Sequence, residues 1–400
     1  MSLEPAPASV SPRPEYRLPI LTFVVISSMV GGGILTTSGQ VVARVGSHEV
    51  NLALWLLGGI VALCGALSLA ELSAALPRSG GDYVYIYEAY GELPAFLAGW
   101  ATLVHGFAGP IAATAWAAAS YMTTAMGNVP EAHNLGLSGL SSLFIVTLGA
   151  WHARGCAATS RFQTAATLLT LASLIAFVVI GLSVAAGQPR VAHPTPSPVF
   201  GKTWNWSAML FSLVYINYSY SGWNGAAYLA GEVREPGRRI PIAIITGTLV
   251  VVGLYLAVNL VYACALPAAT IQRLAEPDIN AVSPIAALSA HALLGDRGGK
   301  LVGFGTTCIL LAALSAFILT GPRVAWAMAC TGQFPKFAAR LAPGRDTPDR
   351  ASALLLAASL ALLWTGSFDE LLVFSSVGLA LFSMLSISSV FWLRWLRPAW

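Results

Sequence analysis

Two short clusters of glycine and hydroxyl residues interrupt otherwise apolar runs, and their chemistry is that of a site for a small zwitterion. The first is Ser27-Ser28-Met29-Val30-Gly31-Gly32-Gly33-Ile34, and the second is Tyr218-Ser219-Tyr220-Ser221-Gly222-Trp223-Asn224-Gly225. Each glycine costs a helix interior roughly 1 kcal/mol relative to alanine, so three in succession predict a break. Where a helix restarts, its first N–H groups lack an intrahelical partner and carry the positive end of the dipole. The N–H groups of Gly31, Gly32 and Gly33 would therefore hold a carboxylate. The freed carbonyls of Met29 and Val30, with those near Tyr218 and Ser221, would accept from an ammonium group. The alternative is close helix packing through small residues. One cluster alone fits either account, whereas two at matched positions favour a binding site.

The elements that must position these clusters are membrane spans. Hydrophobic residues make up 56% of 400 positions and charged residues 10%, against about 25% charged in a soluble domain. That composition excludes a soluble enzyme, and no Ser-His-acid set, nucleotide loop or metal-ligand spacing points to catalysis, a cofactor or a metal. The net charge of +4 is spread between apolar runs, which argues against nucleic-acid binding. Cys64, Cys156, Cys264, Cys308 and Cys330 show neither redox nor metal spacing and read as small apolar fillers. A span needs about 20 residues. Ten runs qualify or nearly do: 18–43, 51–76, 95–126, 137–152, 162–186, 205–230, 241–266, 299–328, 352–367 and 370–393.

Residues 1–17 read as a disordered cytoplasmic tail, and 18–400 as one transmembrane domain in contact with lipid. With the N-terminus inside, only Arg44, Arg190, Lys202, Arg273, Arg297 and Lys300 of the 21 basic residues fall outside, as the positive-inside rule requires. The chain is thus expected to be a multi-pass protein of the cell (inner) membrane. Spans one and six are corresponding members of two halves, 18–187 and 204–393. Glycine-interrupted spans in matching positions point to a transporter site at the midplane.

These residues also resemble the amino acid–polyamine–organocation superfamily, within it the L-amino-acid transporter and bacterial amino-acid permease branch. Gly31-Gly32-Gly33-Ile34 is similar to that family's first-helix motif. Pro77-Arg78-Ser79-Gly80-Gly81-Asp82-Tyr83 with Ala89-Tyr90-Gly91 is similar to its first cytoplasmic loop. Tyr220-Ser221-Gly222-Trp223-Asn224, Gly231-Glu232 and Glu235-Pro236-Gly237-Arg238-Arg239-Ile240-Pro241 resemble its sixth helix and following loop. Gly321-Pro322-Arg323 through Gly332-Gln333-Phe334-Pro335 resemble the end of its eighth. The resemblance implies an all-α five-plus-five inverted-repeat fold of the LeuT-like type, with about ten transmembrane helices. It implies a secondary transporter of amino acids working by alternating access, as exchanger or cation-coupled symporter. The substrate would lie against Ser28, Met29, Val30, Gly31–Gly33, Tyr218, Ser219, Ser221, Gly222, Trp223 and Asn224. Tyr218 would close over it as a gate, and Glu232 would brace the inner gate with Arg323 or a loop arginine.

The chain departs from the family pattern at three points. Gly32 lacks a hydroxyl that relatives place near the carboxylate. Thr170 stands where many relatives carry a lysine, which leaves room for a sodium site built from Ser28, Thr170 and Ser315. The ending Trp392-Leu393-Arg394-Trp395-Leu396-Arg397-Pro398-Ala399-Trp400 resembles the loop before an eleventh span of a twelve-span parent. Segment 127–138 has no cysteine, so a disulfide-linked heavy chain is not expected.

Ionisable groups within spans are functional candidates by default. His105, in the third span, suits a proton relay or, as a bland alternative, a neutral hydrogen bond to a neighbouring helix. Glu71 is expected to snorkel or to pair with Arg78. His291 lies in the external segment 267–298, where Pro267, Pro277 and Pro284 suggest a partly helical lid. No confident acid or base falls in the predicted pocket, which favours neutral amino acids over cationic amino acids or polyamines. A non-transporting amino-acid sensor is the reading from another class. A bulky side chain at Gly32 is expected to abolish binding.

Overall fold

The computed structural model describes residues 16–127, 135–187, 205–276, 284–343, 347–365 and 368–396, with side chains described outside 366–380. Residues 1–15, most of the loop 127–138, Arg190, Lys202, Pro277 and the last four residues lie outside the described part.

The first interrupted span is a pair of helices, α1 (Leu18–Met29) and α2 (Gly32–Val45), followed by α3 (His48–Ala75) and a short α4 (Asp82–Tyr90). The third span comprises α5 (Glu92–Ala101), a π-helical stretch Thr102–Ala108 and α6 (Gly109–Ala125). Pro110 has no N–H to give the carbonyl of Gly106, and the turns before it widen into π geometry. Next come α7 (Leu135–His152), α8 (Cys156–Gly187) and α9 (Trp206–Tyr220) with a 3₁₀ continuation Trp223–Glu232. The second half continues through α10 (Pro236–Ala265), α11 (Ala268–Ala275), α12 (Ile285–Thr320), α13 (Pro322–Cys330), α14 (Asp349–Thr365) and α15 (Phe368–Leu396).

Among the described residues, 7 helical stretches are long and apolar enough to cross a membrane. The other three expected spans are the broken α9 pair, the 17-residue α14 and the 29-residue α15. The spans differ from expectation mainly at their ends. Helix α8 starts at Cys156 rather than at 162, and α12 starts at Ile285, turning at Gly295, where φ is 69°. Within the segment 267–298, expected to be external, α11 packs on α2.

Leu56, Leu57, Ile60 and Val61 of α3 are exposed, as are Leu168, Leu169, Ile175 and Val179 of α8. These apolar stripes suit lipid, since backbone groups inside helices need no solvent partner. Inside the bundle α3 packs on α10 and α9, and α1 is buried against α8, α10, α12 and the 3₁₀ segment. Polar groups inside the bundle pair across helices. Asn51 donates to Asn259 at 2.9 Å and accepts from the Trp55 indole at 3.1 Å.

The expected Glu71–Arg78 pairing does not form. Helix α3 ends before Arg78, which turns back to Glu88 of α4 at 2.5 Å. Glu71 instead accepts from Nε and Nη2 of Arg394 on α15 at 2.8 and 2.7 Å. Helix α15 runs beside α3 and brings that arginine within reach. His291 is exposed and bonds Asp296 at 2.8 Å.

Candidate functional site at two helix breaks

Val30 (φ −77°, ψ 92°) and Gly31 (φ −131°, ψ −152°) are extended, so α2 restarts inside the protein. Gly31 contributes no capping side chain, and the first turn of α2 holds no acidic residue. Its N–H donors and dipole end are therefore open to an anion. At the second break Ser221 is extended and its hydroxyl donates to the Tyr218 carbonyl at 2.6 Å. Gly222 then takes φ 106°, which favours glycine.

The two breaks touch. A Cβ at Gly222 would run into the carbonyl of Ser28, and one at Gly33 would lie 2.5 Å from Ser219 Oγ and 2.7 Å from Ser219 Cα. At Gly31 and Gly32 the nearest atoms would be 3.9 and 3.7 Å away, which is ordinary contact. The steric demand for glycine therefore falls on Gly33 and Gly222 rather than on Gly32.

A residue that sequence reasoning passed over ties the breaks together. The Tyr255 hydroxyl of α10 donates towards the carbonyls of Met29 at 2.7 Å and Ser219 at 3.0 Å. Nothing in the sequence separates Tyr255 from other tyrosines in apolar runs. Removing this donor leaves two buried carbonyls short of a partner, a cost of about 1–3 kcal/mol. Tyr255→Phe is expected to lower the melting temperature in detergent and to reduce transport several-fold, and unchanged values of both would contradict this role.

A cavity of about 40 Å³ lies between the breaks and the third span. Ser28, Tyr218, Ser221 and Gly222 line it on the side of the breaks, and Gly106, Phe107, Pro110, Asn224, Tyr228 and Phe317 are among the residues lining the rest. Among the described residues, none that lines it carries a charge. Of the other expected contacts, Ser219 is buried behind the wall, where Thr37 and the Tyr215 carbonyl take its hydroxyl at 2.9 Å. Trp223 packs towards Gly65 of α3 and Ile387 of α15 rather than lining the cavity. His105 sits in the π-helical stretch, and its neighbours Gly106 and Phe107, not His105 itself, line the cavity.

Below the cavity, the Asp82 carboxylate accepts from Asn224 Nδ2, the Tyr228 hydroxyl and the Ser386 hydroxyl, each at 2.7 Å. Burial pushes the Asp82 carboxyl above the usual aspartate range, and the bonds from Ser386, Tyr228 and Asn224 pull the other way. A second, smaller cavity beside Asp82 shares Gly106 and Tyr228 with the first. In the sequence, Asp82 is one residue of the Pro77–Tyr83 motif with nothing to mark this role.

On the same side, Glu232 and Arg323 are buried together, with Nε–Oε1 at 2.9 Å and Nη2–Oε2 at 3.1 Å. Arg323 also donates to the Leu319 carbonyl. The backbone N–H of Tyr16, just before α1, donates to the Glu232 carbonyl at 3.0 Å. The start of the broken first span is thereby pinned to the end of the broken sixth.

The expected cation ligands have different fates. The Ser315 hydroxyl donates to Gln163 Oε1 at 2.8 Å and lies 2.9 Å from His152 Nε2. Gln163 continues to Thr167 at 3.3 Å, and Thr167 to Ser27 at 2.7 Å. The Ser28 and Thr170 hydroxyls are buried without a hydrogen-bond partner among the described residues.

Two interrupted helices that meet at their breaks, inside a bundle with an apolar belt, define a secondary membrane transporter. Residues 18–400 match the family model described as Amino acid permease, and the chain belongs to that family. It is 30% identical to the Serine/threonine exchanger SteT of Bacillus subtilis, over 95% of this chain and 83% of that one. It is 26% identical to Asc-type amino acid transporter 1 of Mus musculus, over 98% of this chain and 72% of the other. It is 25% identical to the Cystine/glutamate transporter of Homo sapiens, over 94% and 73%. The fold is similar to that of MhsT, solved in complex with L-phenylalanine, with a TM-score of 0.63 at 17% identity over 94% of this chain and 89% of that one. The chain is thus an amino-acid transporter of the alternating-access kind, with the five-plus-five inverted-repeat fold.

Proposed function

We propose that this transporter exchanges neutral L-amino acids across the cell membrane, with its N-terminus in the cytoplasm. One observation carries the reading: an uncharged cavity lies where the two breaks meet, lined by Ser28, Ser221 and Gly222. It is a few residues along the chain from the uncapped start of α2, although Gly31–Gly33 do not themselves line it. The open N–H groups from Gly31 to Gly33 hold the substrate carboxylate, and the carbonyls at the breaks hold its ammonium. Those charges then compensate each other, and a net-neutral side chain fits the remaining walls. Tyr218 acts as the outer lid. Glu232 and Arg323 close the inner side, and they part when α1 swings away with Tyr16.

Exchange is favoured over sodium symport because the Ser315 oxygen is engaged by Gln163 and His152. The unpartnered Ser28 and Thr170 hydroxyls are the groups a coupling cation would use. His105 is left with a place in the third span rather than a proton relay, and no cofactor or heavy chain enters the cycle.

Purified protein in proteoliposomes tests this. Uptake of a labelled neutral amino acid is expected to rise several-fold when the vesicles are preloaded with unlabelled neutral amino acid. It is expected to be unaffected by sodium or pH gradients and poorly inhibited by lysine or putrescine. Uptake that requires sodium would move the coupling to Ser28 and Thr170. Binding without uptake would make the protein a sensor.

A further inference from the structure

The orientation of one side-chain amide decides what the cavity offers to a substrate side chain. A carboxylate that accepts three hydrogen bonds and donates none must face the nitrogen of Asn224, never its oxygen. Asn224 Nδ2 spends one hydrogen on Asp82 Oδ2 at 2.7 Å and the other on the Tyr228 hydroxyl at 3.0 Å. The Tyr228 hydroxyl gives its own hydrogen to Asp82 at 2.7 Å, and Ser386 holds the second carboxylate oxygen. With Asp82 ionised, as its three donors favour, this network admits one arrangement of the hydrogens. It leaves Asn224 Oδ1, on a residue that lines the cavity, as the atom of the amide without a partner among the described residues.

The substrate backbone occupies the side of the breaks, so its side chain meets Phe107, Pro110, Asn224, Tyr228 and Phe317. Among these the Tyr228 hydroxyl is already engaged, and the remaining polar atom is an acceptor in apolar surroundings. We propose that Asp82 sets specificity: it holds Asn224 with its nitrogen turned away, presents Oδ1 to the cavity, and selects small amino acids bearing a side-chain hydroxyl. Asp82 acts here through Asn224, as a positioning residue.

This inference rests on the proposed binding of amino acids in the cavity, and the test separates the two. Serine with alanine, and threonine with valine, form pairs that differ chiefly by the hydroxyl. In competition with a labelled neutral amino acid, the hydroxyl member is expected to inhibit about tenfold better, the worth of one hydrogen bond that an analogue leaves unmade. In Asp82→Asn the amide at 224 is no longer fixed, and the ratio within each pair is expected to fall towards one while inhibition by alanine and valine persists. If that variant does not fold, Tyr228→Phe frees one hydrogen of Asn224 and is expected to lower the ratio about threefold. A wild-type protein that does not distinguish the pairs overturns the proposal. So does an Asp82→Asn, or failing that a Tyr228→Phe, that weakens both members equally, because Asn224 would then serve the ammonium or the fold. Failure of every amino acid to compete would instead remove the proposed function beneath it.

Discussion

A Gly222→Ala variant is expected to lose transport by about tenfold or more while Gly32→Ala transports nearly as well as wild type. The left-handed conformation at 222 costs a residue with a Cβ about 1–2 kcal/mol. The methyl group would also run into the carbonyl of Ser28, which belongs to the other break. A flexible side chain would swing aside, but a backbone carbonyl held within the first break moves only by separating the two interrupted helices. At Gly32 the same methyl meets Leu310 at 3.7 Å, which needs no adjustment. Initial rates of uptake at matched protein density distinguish the two variants, and equal rates would show that the close approach of the breaks is dispensable.

Arg323→Met is expected to be the most destabilising single change in the bundle. It leaves the Glu232 carboxylate buried with Cys156 Sγ, at 3.8 Å, as its one remaining side-chain partner among the described residues. Stripping one partner from a buried ion pair costs about 3–5 kcal/mol, because the remaining charge has lost its water and its counter-ion. The double variant Arg323→Met/Glu232→Gln removes both charges and is expected to melt at a higher temperature than Arg323→Met alone. Thermal melting in detergent, followed by the monodisperse fraction, gives the order. A single variant as stable as wild type would mean that the pair contributes nothing to the closed side.

The parts of this fold that were legible in the sequence are those set by local composition. Glycine and serine in the middle of an apolar run are costly in a helix, so both breaks could be placed to within a few residues. Length and apolar composition located the spans, apart from end effects such as the early start of α8. Pairings between distant segments were not legible. Nothing near Glu71 in the sequence marks Arg394 as its partner, whereas Arg78 lies close by in the chain and is turned away by the end of α3. Tyr255 and Asp82 gained their roles only from position. One hydroxyl reaches two freed carbonyls, and one carboxylate fixes an amide that lines the cavity. The glycine cluster likewise read as three equivalent residues, and only the packing of Ser219 separates Gly33 from its neighbours.

The central claim is that a zwitterion bound where the two breaks meet is carried across the membrane. Trans-stimulated uptake of a labelled neutral amino acid into proteoliposomes tests it most directly, with wild type and Gly222→Ala measured side by side. Saturable uptake by wild type, stimulated by internal amino acid and lost in Gly222→Ala, is the predicted result. Absence of uptake by folded wild-type protein, or equal uptake by Gly222→Ala, would contradict it.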